Sequence, residues 1–332
     1  MRTTVRMGVP KVVAACIASA LIAAPAGAEV VRAVEYYHVA FEHYFVTANP
    51  AEIAALDASM IAGWVRSGQR YRVDDAPAPG LAPVCRFFTS AFGGKGSHFF
   101  TASAAECGAL KANHDWTYEG IAFHARLPDA QGTCDAGNAA IHRLYNDSRS
   151  GAPNHAYTAD LAKRDALAAA GWIYEGVAYC VPLASGDPLA QTQVLAGSVW
   201  DLPSTFLYDH ARIRTRFADG ITVNGSLNGT LVDFGLPPAS AAIYHGVNDA
   251  WNGAAAWDPL AGSYVVVGGS GFEGYGYLGN AWLFDDAQGP TASVCAVTVY
   301  RNPNTSPNTV FGEHPFQPRY WSGCEAGSAS RL

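Results

Sequence analysis

The segment Trp116-Thr-Tyr-Glu-Gly120-Ile-Ala-Phe123 occurs again as Trp172-Ile-Tyr-Glu-Gly176-Val-Ala-Tyr179, and in weaker form as Trp64-Val-Arg-Ser-Gly68-Gln-Arg-Tyr71. Tryptophan, glycine and a terminal aromatic keep their spacing in all three. Working upstream, Glu35-Tyr36-Tyr37, Arg86-Phe87-Phe88 and Arg143-Leu144-Tyr145 each open a unit. Tyr37, Phe88 and Tyr145 precede their tryptophans by 27, 28 and 27 residues. Between these ends, Tyr44-Phe-Val-Thr47-Ala-Asn49, His98-Phe-Phe-Thr101-Ala-Ser103 and His155-Ala-Tyr-Thr158-Ala-Asp160 align position for position. An internal repeat of this length is the signature of a fold built from copies of one supersecondary unit.

Each middle block ends in a residue suited to cap a helix: Asn49, Ser103 and Asp160. Pro50 suits the first helical position, and Glu52 and Glu106 stand three residues after their caps, as in a capping box. Helix formers follow over Glu52 to Ala58, Ala104 to Lys111 and Leu161 to Ala170, and Gly63 and Gly171 end the first and third of these stretches. Each unit therefore reads strand, loop, strand, short helix, strand. One such unit cannot bury both faces of three short strands, whereas three around a shared centre can. The expectation is a mainly β fold with short helices: a pseudo-three-fold repeat domain over residues 30–182, with units at about 34–73, 84–127 and 140–182.

These units resemble a repeat family of bacterial exported proteins catalogued only as a domain of unknown function, whose members carry segments like Cys85-Arg-Phe-Phe88, Ser97-His-Phe-Phe-Thr-Ala-Ser103 and Gly171-Trp-Ile-Tyr-Glu-Gly-Val-Ala-Tyr179. The resemblance implies an extracellular accessory or binding module and no particular reaction. The first unit departs from the pattern: Ser67 stands at the Glu position, and Tyr44 at the His position.

Residues 1–28 read as a cleavable signal peptide. Arg2, Arg6 and Lys11 are followed by an apolar run from Val12 to Ala24 and by Ala26-Gly27-Ala28. The run is too short for a membrane span, so the expected location is periplasmic or extracellular. Without that segment 18 Lys and Arg face 28 Asp and Glu, a formal charge of −10, which argues against a nucleic-acid partner. The whole chain of 332 residues is 49% hydrophobic and only 15% charged, which argues against a disordered or coiled-coil protein. Its length suggests about two domains.

Six cysteines remain in the exported chain, without a C-x-x-C, which favours disulfides over redox or zinc chemistry. The repeat points to the pairs Cys85–Cys107, Cys134–Cys180 and Cys295–Cys324.

From about residue 193 to 325 the texture changes to short strands with frequent Gly and Asn, read as an all-β sandwich or barrel. Strands are expected at Arg212–Ala218 and Ile221–Val223, with a tight turn at Asp219-Gly220. Others are expected at Ala241–Val247, Tyr264–Val267, Ala281–Phe284 and Val294–Tyr300. Gly269-Ser-Gly271-Phe-Glu-Gly274 matches a dinucleotide fingerprint, but the helix that motif needs is not predicted after it.

Candidate binding residues fall in three groups, each with a structural alternative. His98 with Glu119, and His155 with Glu175, could converge near the three-fold centre as an acid–base or metal site, or could simply hold strands together. Trp251 and Trp257, in an expected loop Asn248–Pro259, could stack on sugar rings or pack in a core. Arg212, Arg214 and Arg216 share one face of a strand and could grip an acidic polysaccharide or lie solvated.

No cofactor and no metal is expected. The leading function is an exported, non-catalytic protein that contacts an extracellular polysaccharide or other envelope component. The alternative is a secreted hydrolase with scattered residues such as His210, His245, Asp249 and His314. A third reading makes the repeat a structural spacer that presents the second half.

Overall fold

The computed structural model describes residues 28–38, 40–186, 190–191, 194–203, 212–221, 243–247, 252–272, 276–284, 289–301, 320–321 and 325–332. Residues 1–27 of the expected signal peptide, Trp251, Cys324, His210, Asp249 and His314 lie outside them.

Three consecutive stretches fold alike. The first holds β1 (Val30–His38), β2 (His43–Thr47), α1 (Pro50–Asp57) and β3 (Trp64–Asp74). The second holds β4 (Ala82–Thr89), β5 (Ser97–Thr101), α2 (Ala104–Lys111) and β6 (Thr117–Ala125). The third holds β7 (Asn138–Tyr145), β8 (His155–Thr158), α3 (Leu161–Ala169) and β9 (Ile173–Pro182). In every unit the first strand lies between the other two, antiparallel to both. The aligned residues pair at the same place: Tyr37 with Tyr44, Phe88 with His98, and Tyr145 with His155.

The helices begin where the caps predict. Asn49, Ser103 and Asp160 accept from backbone N–H groups of the first turn, and Thr47, Thr101 and Thr158 accept from the cap residues' own N–H at 3.0 Å each. The threonines thus take the reciprocal half of the expected capping box. Glu52 and Glu106 instead accept hydrogen bonds from the hydroxyls of Thr47 and Thr101 and turn outward from their helices.

Equivalent side chains of the three units meet in layers. Ala33, Val84 and Ile141 form one set, and Val46, Phe100 and Tyr157 a second. Tyr71, Phe123 and Tyr179 form a third, and Val73, Ala125 and Val181 a fourth; each is at most 1% exposed. A fully buried side chain of this size contributes about 1.5–3 kcal/mol, and no unit could bury its share alone. Polar stitches cross the same junctions. Asn154 brackets the backbone of Tyr44, accepting from its N–H at 2.7 Å and donating to its carbonyl at 3.1 Å. The Tyr157 hydroxyl does the same to Phe100, at 2.9 and 2.8 Å.

The tryptophans sit in related surroundings. Trp64 meets Phe45 edge-on at 5.8 Å, Trp116 meets Phe99 at 6.2 Å, and Trp172 meets Tyr44 at 5.8 Å. Unit three has Ala156 where the other units have Phe, so its indole reaches to unit one. The expected disulfides Cys85–Cys107 and Cys134–Cys180 are both formed.

The described elements of the second half are all strands: β10 (Val199–Pro203), β11 (Arg212–Ile221), β12 (Ile243–Val247), β13 (Asn252–Asp258), β14 (Ser263–Phe272), β15 (Gly276–Phe284), β16 (Thr291–Arg301), β17 (Tyr320–Trp321) and β18 (Glu325–Arg331). Neighbours from β10 to β16 pair antiparallel in chain order. β16 also pairs with β18, and β18 with β10, so the pairing returns to its start. Trp200, Leu202, Phe217, Trp257, Tyr264, Val266, Phe284 and Val294 share its core.

Two local expectations are corrected here, and one strand is lengthened. Asp219-Gly220 is not a turn: β11 runs through it with a register shift between Phe217 and Ile221. Gly269 to Phe272 belong to β14, and the next described element is strand β15 rather than the helix of a dinucleotide site. Trp257 is not in a loop. It lies in β13, 8% exposed, with its ring 4.9 Å from that of Tyr264.

Candidate functional site

The Glu-Gly steps of the second and third Trp segments are β-bulges within strands. Arg86 pairs with Gly120 and Phe87 with Tyr118, leaving Glu119 as the extra residue. Arg143 pairs with Gly176 and Leu144 with Tyr174, leaving Glu175. Gly120 and Gly176 have φ of +107° and +99°, where a side chain is strained. A bulge re-aims the side chain it carries, and here it aims both glutamates at an arginine.

Arg86 binds Glu52 of the preceding unit through two hydrogen bonds of 2.9 Å and Glu119 of its own unit through Nε at 2.9 Å. His98 Nε2 lies 3.3 Å from the same Glu119 carboxylate. One unit further on, Arg143 binds Glu106 at 3.0 Å twice and Glu175 at 2.8 Å, with His155 Nε2 at 3.4 Å. Bidentate guanidinium–carboxylate pairs are the strong, directional kind. The two His–Glu sets therefore do not converge at the three-fold centre, which is filled with aromatic rings. Each belongs to its own clamp between successive units.

The third junction carries the same clamp with its charges exchanged. Glu35 occupies the arginine position and is fully buried, while Lys163 occupies the position of Glu52 and Glu106. Lys163 Nζ is 2.5 Å from Glu35. With an acid already there, a second acid at the bulge would repel it. Unit one has Ser67 instead, which donates to Glu35 at 2.5 Å. Tyr44, at the histidine position, places its ring 4.2 Å from the Lys163 ammonium. The departures of unit one are thus a single compensated substitution. Glu52, Glu106 and Lys163 were missed as clamp residues, although the exchange is visible once Glu35, Arg86 and Arg143 are aligned with them.

The clamp environment sets its protonation. Arg143 holds the Glu106 carboxyl below the usual carboxylate range. At Glu52, Glu119 and Glu175 burial alone would push the carboxyl up, and donors outweigh it: Arg86 and Thr47, His98 and Arg86, and His155 and Arg143 respectively. Burial pushes His155 down, so it donates to Glu175 as a neutral ring and leaves the cation role to Arg143.

A groove of about 810 Å³ opens beside the second clamp, between units two and three. It is lined by Ala82, Pro83, Ile121, Leu127, Pro128 and Val177, by the Cys85–Cys107 disulfide, and by the polar groups of Ser103, Glu106, Lys111, Arg143 and Glu175. Apolar walls with a few polar groups are the usual make-up of a small-molecule site, and the volume falls in the usual range. Next to it, Lys111 Nζ stands 4.1 Å from the ring of Tyr118, which is 38% exposed. The equivalent Tyr174 is 45% exposed. In unit one that position is Arg66, buried against Asp57 and paired in register with Trp321 of β17. The second half thus pairs with β3 at the residue whose equivalents in units two and three are exposed tyrosines.

Residues 32–182 match the family model described as Domain of unknown function (DUF5648). The match begins in β1 and ends in β9, so it spans all three units and stops before β10. Comparison with curated proteins finds no match, and comparison with solved structures finds none. Within the DUF5648-matched region lie both His–Glu clamps, both disulfides and the groove.

The remaining candidates are in the second half. Arg212, Arg214 and Arg216 take alternate positions of β11, with Arg214 in register with Asp201 of β10. His245 is in β12, paired with Ala254. Among the described residues no group of three or more His, Cys, Asp or Glu is placed to hold a metal ion, and no helix is long and apolar enough to cross a membrane.

Proposed function

We propose that this is an exported, non-catalytic binding protein whose DUF5648-matched half holds an extracellular or cell-envelope saccharide in the groove between units two and three. The observation that carries this reading is the groove's composition. Ile121 and Leu127 are 42% and 55% exposed beside a ring of charged and hydroxyl groups. A sugar needs both, because the C–H faces of a pyranose pack on apolar side chains while its hydroxyls exchange hydrogen bonds with carboxylates and cations. The exposed ring of Tyr118, against Lys111, extends the same chemistry beside the groove. Export is supported by the signal-like leader and by two disulfides, which persist in oxidising compartments.

Retention of the full chain on insoluble envelope polysaccharides, together with a glycan array, tests the reading. Leu127→Asp and Tyr118→Ala change exposed side chains and should leave the fold intact while weakening retention roughly tenfold, the size of one lost apolar contact set. Absence of retention on every glycan, or equal retention by both variants, refutes it and leaves the repeat as a spacer for the second half.

A further inference from the structure

Three arginines of unit one face the turn between β13 and β14. Arg32 donates from Nε to the Ala261 carbonyl at 2.8 Å and from Nη2 to the Gly262 carbonyl at 3.1 Å. Arg70 reaches Ser263 Oγ at 3.2 Å and stands 3.6 Å from the Asp258 carboxylate. The backbone N–H of Arg72 donates to the Leu260 carbonyl at 3.0 Å. Its guanidinium makes no hydrogen bond or ion pair with a described residue. Asp74, two positions along the same strand, and Arg32 are the charges that act on it.

Arg32 and Arg72 are direct partners in the β1–β3 ladder, and like charges in that relation repel. Partial burial makes the repulsion worse, because water screens it less. Both line a cleft of about 690 Å³ between the two halves, together with Ser185, Gln191, Trp257 and Tyr264. Gly262, at φ +63°, brings the turn so close that an added Cβ would lie 3.3 Å from Arg72 Cδ. The turn thus holds the arginine in place without neutralising it.

We propose that this cleft binds a small oxyanion, a carboxylate or sulfate group of a ligand, with Arg72 as the principal contact. A guanidinium fork fits either group through two parallel hydrogen bonds. The chain as a whole is acidic, so attraction of anions here is local to the cleft rather than a property of the surface.

Thermal unfolding and titration calorimetry of the full chain in low-salt buffer test this with sodium glucuronate, sodium sulfate and glucose. The charged probes are expected to bind and to raise the unfolding midpoint, and glucose to do neither. Binding of sulfate alone assigns the cleft to inorganic or esterified sulfate, and binding of glucuronate assigns it to carboxylates. Arg72→Gln should weaken binding roughly tenfold with an unchanged circular dichroism spectrum. Arg72→Lys, which keeps the charge and loses the fork, should fall between. Failure of both anions to bind, equal binding of glucose, or unchanged affinity in both variants overturns the proposal.

Discussion

Glu35 and Lys163 are opposite in charge to their counterparts in the other two units; Glu35 is fully buried, and the Lys163 side chain is 9% exposed. Removing one member of a buried ion pair strands the other, at a cost of about 3–5 kcal/mol. Glu35→Gln should therefore lower stability by that order in urea unfolding. Glu35→Arg should be worse, since it sets two cations together. The triple variant Glu35→Arg, Ser67→Glu, Lys163→Glu rebuilds the clamp of the other junctions and should recover most of the loss. If it is no more stable than Glu35→Arg alone, the clamps are not equivalent. The aligned letters contained this exchange, but an acid in a row of arginines reads as decay of a repeat until its partner is known. That partner lies 128 residues away.

Among the elements, the bulged strands and the disulfides matter most. Chain neighbours aside, no heavy atom of a described residue lies within 4 Å of an added Cβ at Gly120 or Gly176, so alanine there meets strain in the backbone rather than a clash. Gly176→Ala should cost about 1–3 kcal/mol and, by shifting Glu175, loosen Arg143. The measurement is the urea midpoint of the single variant against that of Gly176→Ala combined with Glu175→Gln. Independent additivity of the two losses would count against the bulge acting through its glutamate. The Cys85–Cys107 and Cys134–Cys180 crosslinks span 22 and 46 residues, and chain entropy assigns them about 3 and about 4 kcal/mol. Reductant should lower the unfolding midpoint, and Cys134→Ala/Cys180→Ala should lower it more than Cys85→Ala/Cys107→Ala. Helix starts were legible because a cap and its first turn are a few residues apart. β14 was drawn too short because Gly268, Gly269 and Gly271 disfavour strands on their own. They are strand residues here because β13 and β15 pair on either side.

For the whole molecule, the carboxyls of Glu52, Glu106, Glu119 and Glu175 sit below their ordinary values in the folded chain. The unfolded chain therefore takes up their protons first, near pH 4.3. Their stabilisation is complete above about pH 5 and is lost as the pH falls through the folded values. Burial likewise lowers His38, His43, His142 and His155, so the unfolded chain gains protons there from about pH 6.5 downward. Both groups act in one direction, opposed by Asp74 and Asp258, whose carboxyls burial pushes up. The urea midpoint should be level above about pH 7, fall slowly to pH 5 and fall steeply below it. A midpoint unchanged from pH 7 to pH 4 would mean that the clamps contribute nothing to stability. By itself the sequence determined the unit, its three copies, its caps and two of its crosslinks, because those depend on contacts within a unit and on spacing along the chain. Only the tertiary structure decided which charge clamps which, that Trp257 is buried, and that Arg72 faces a cleft. Each of these depends on groups far apart in the chain being desolvated together, and no local pattern records that.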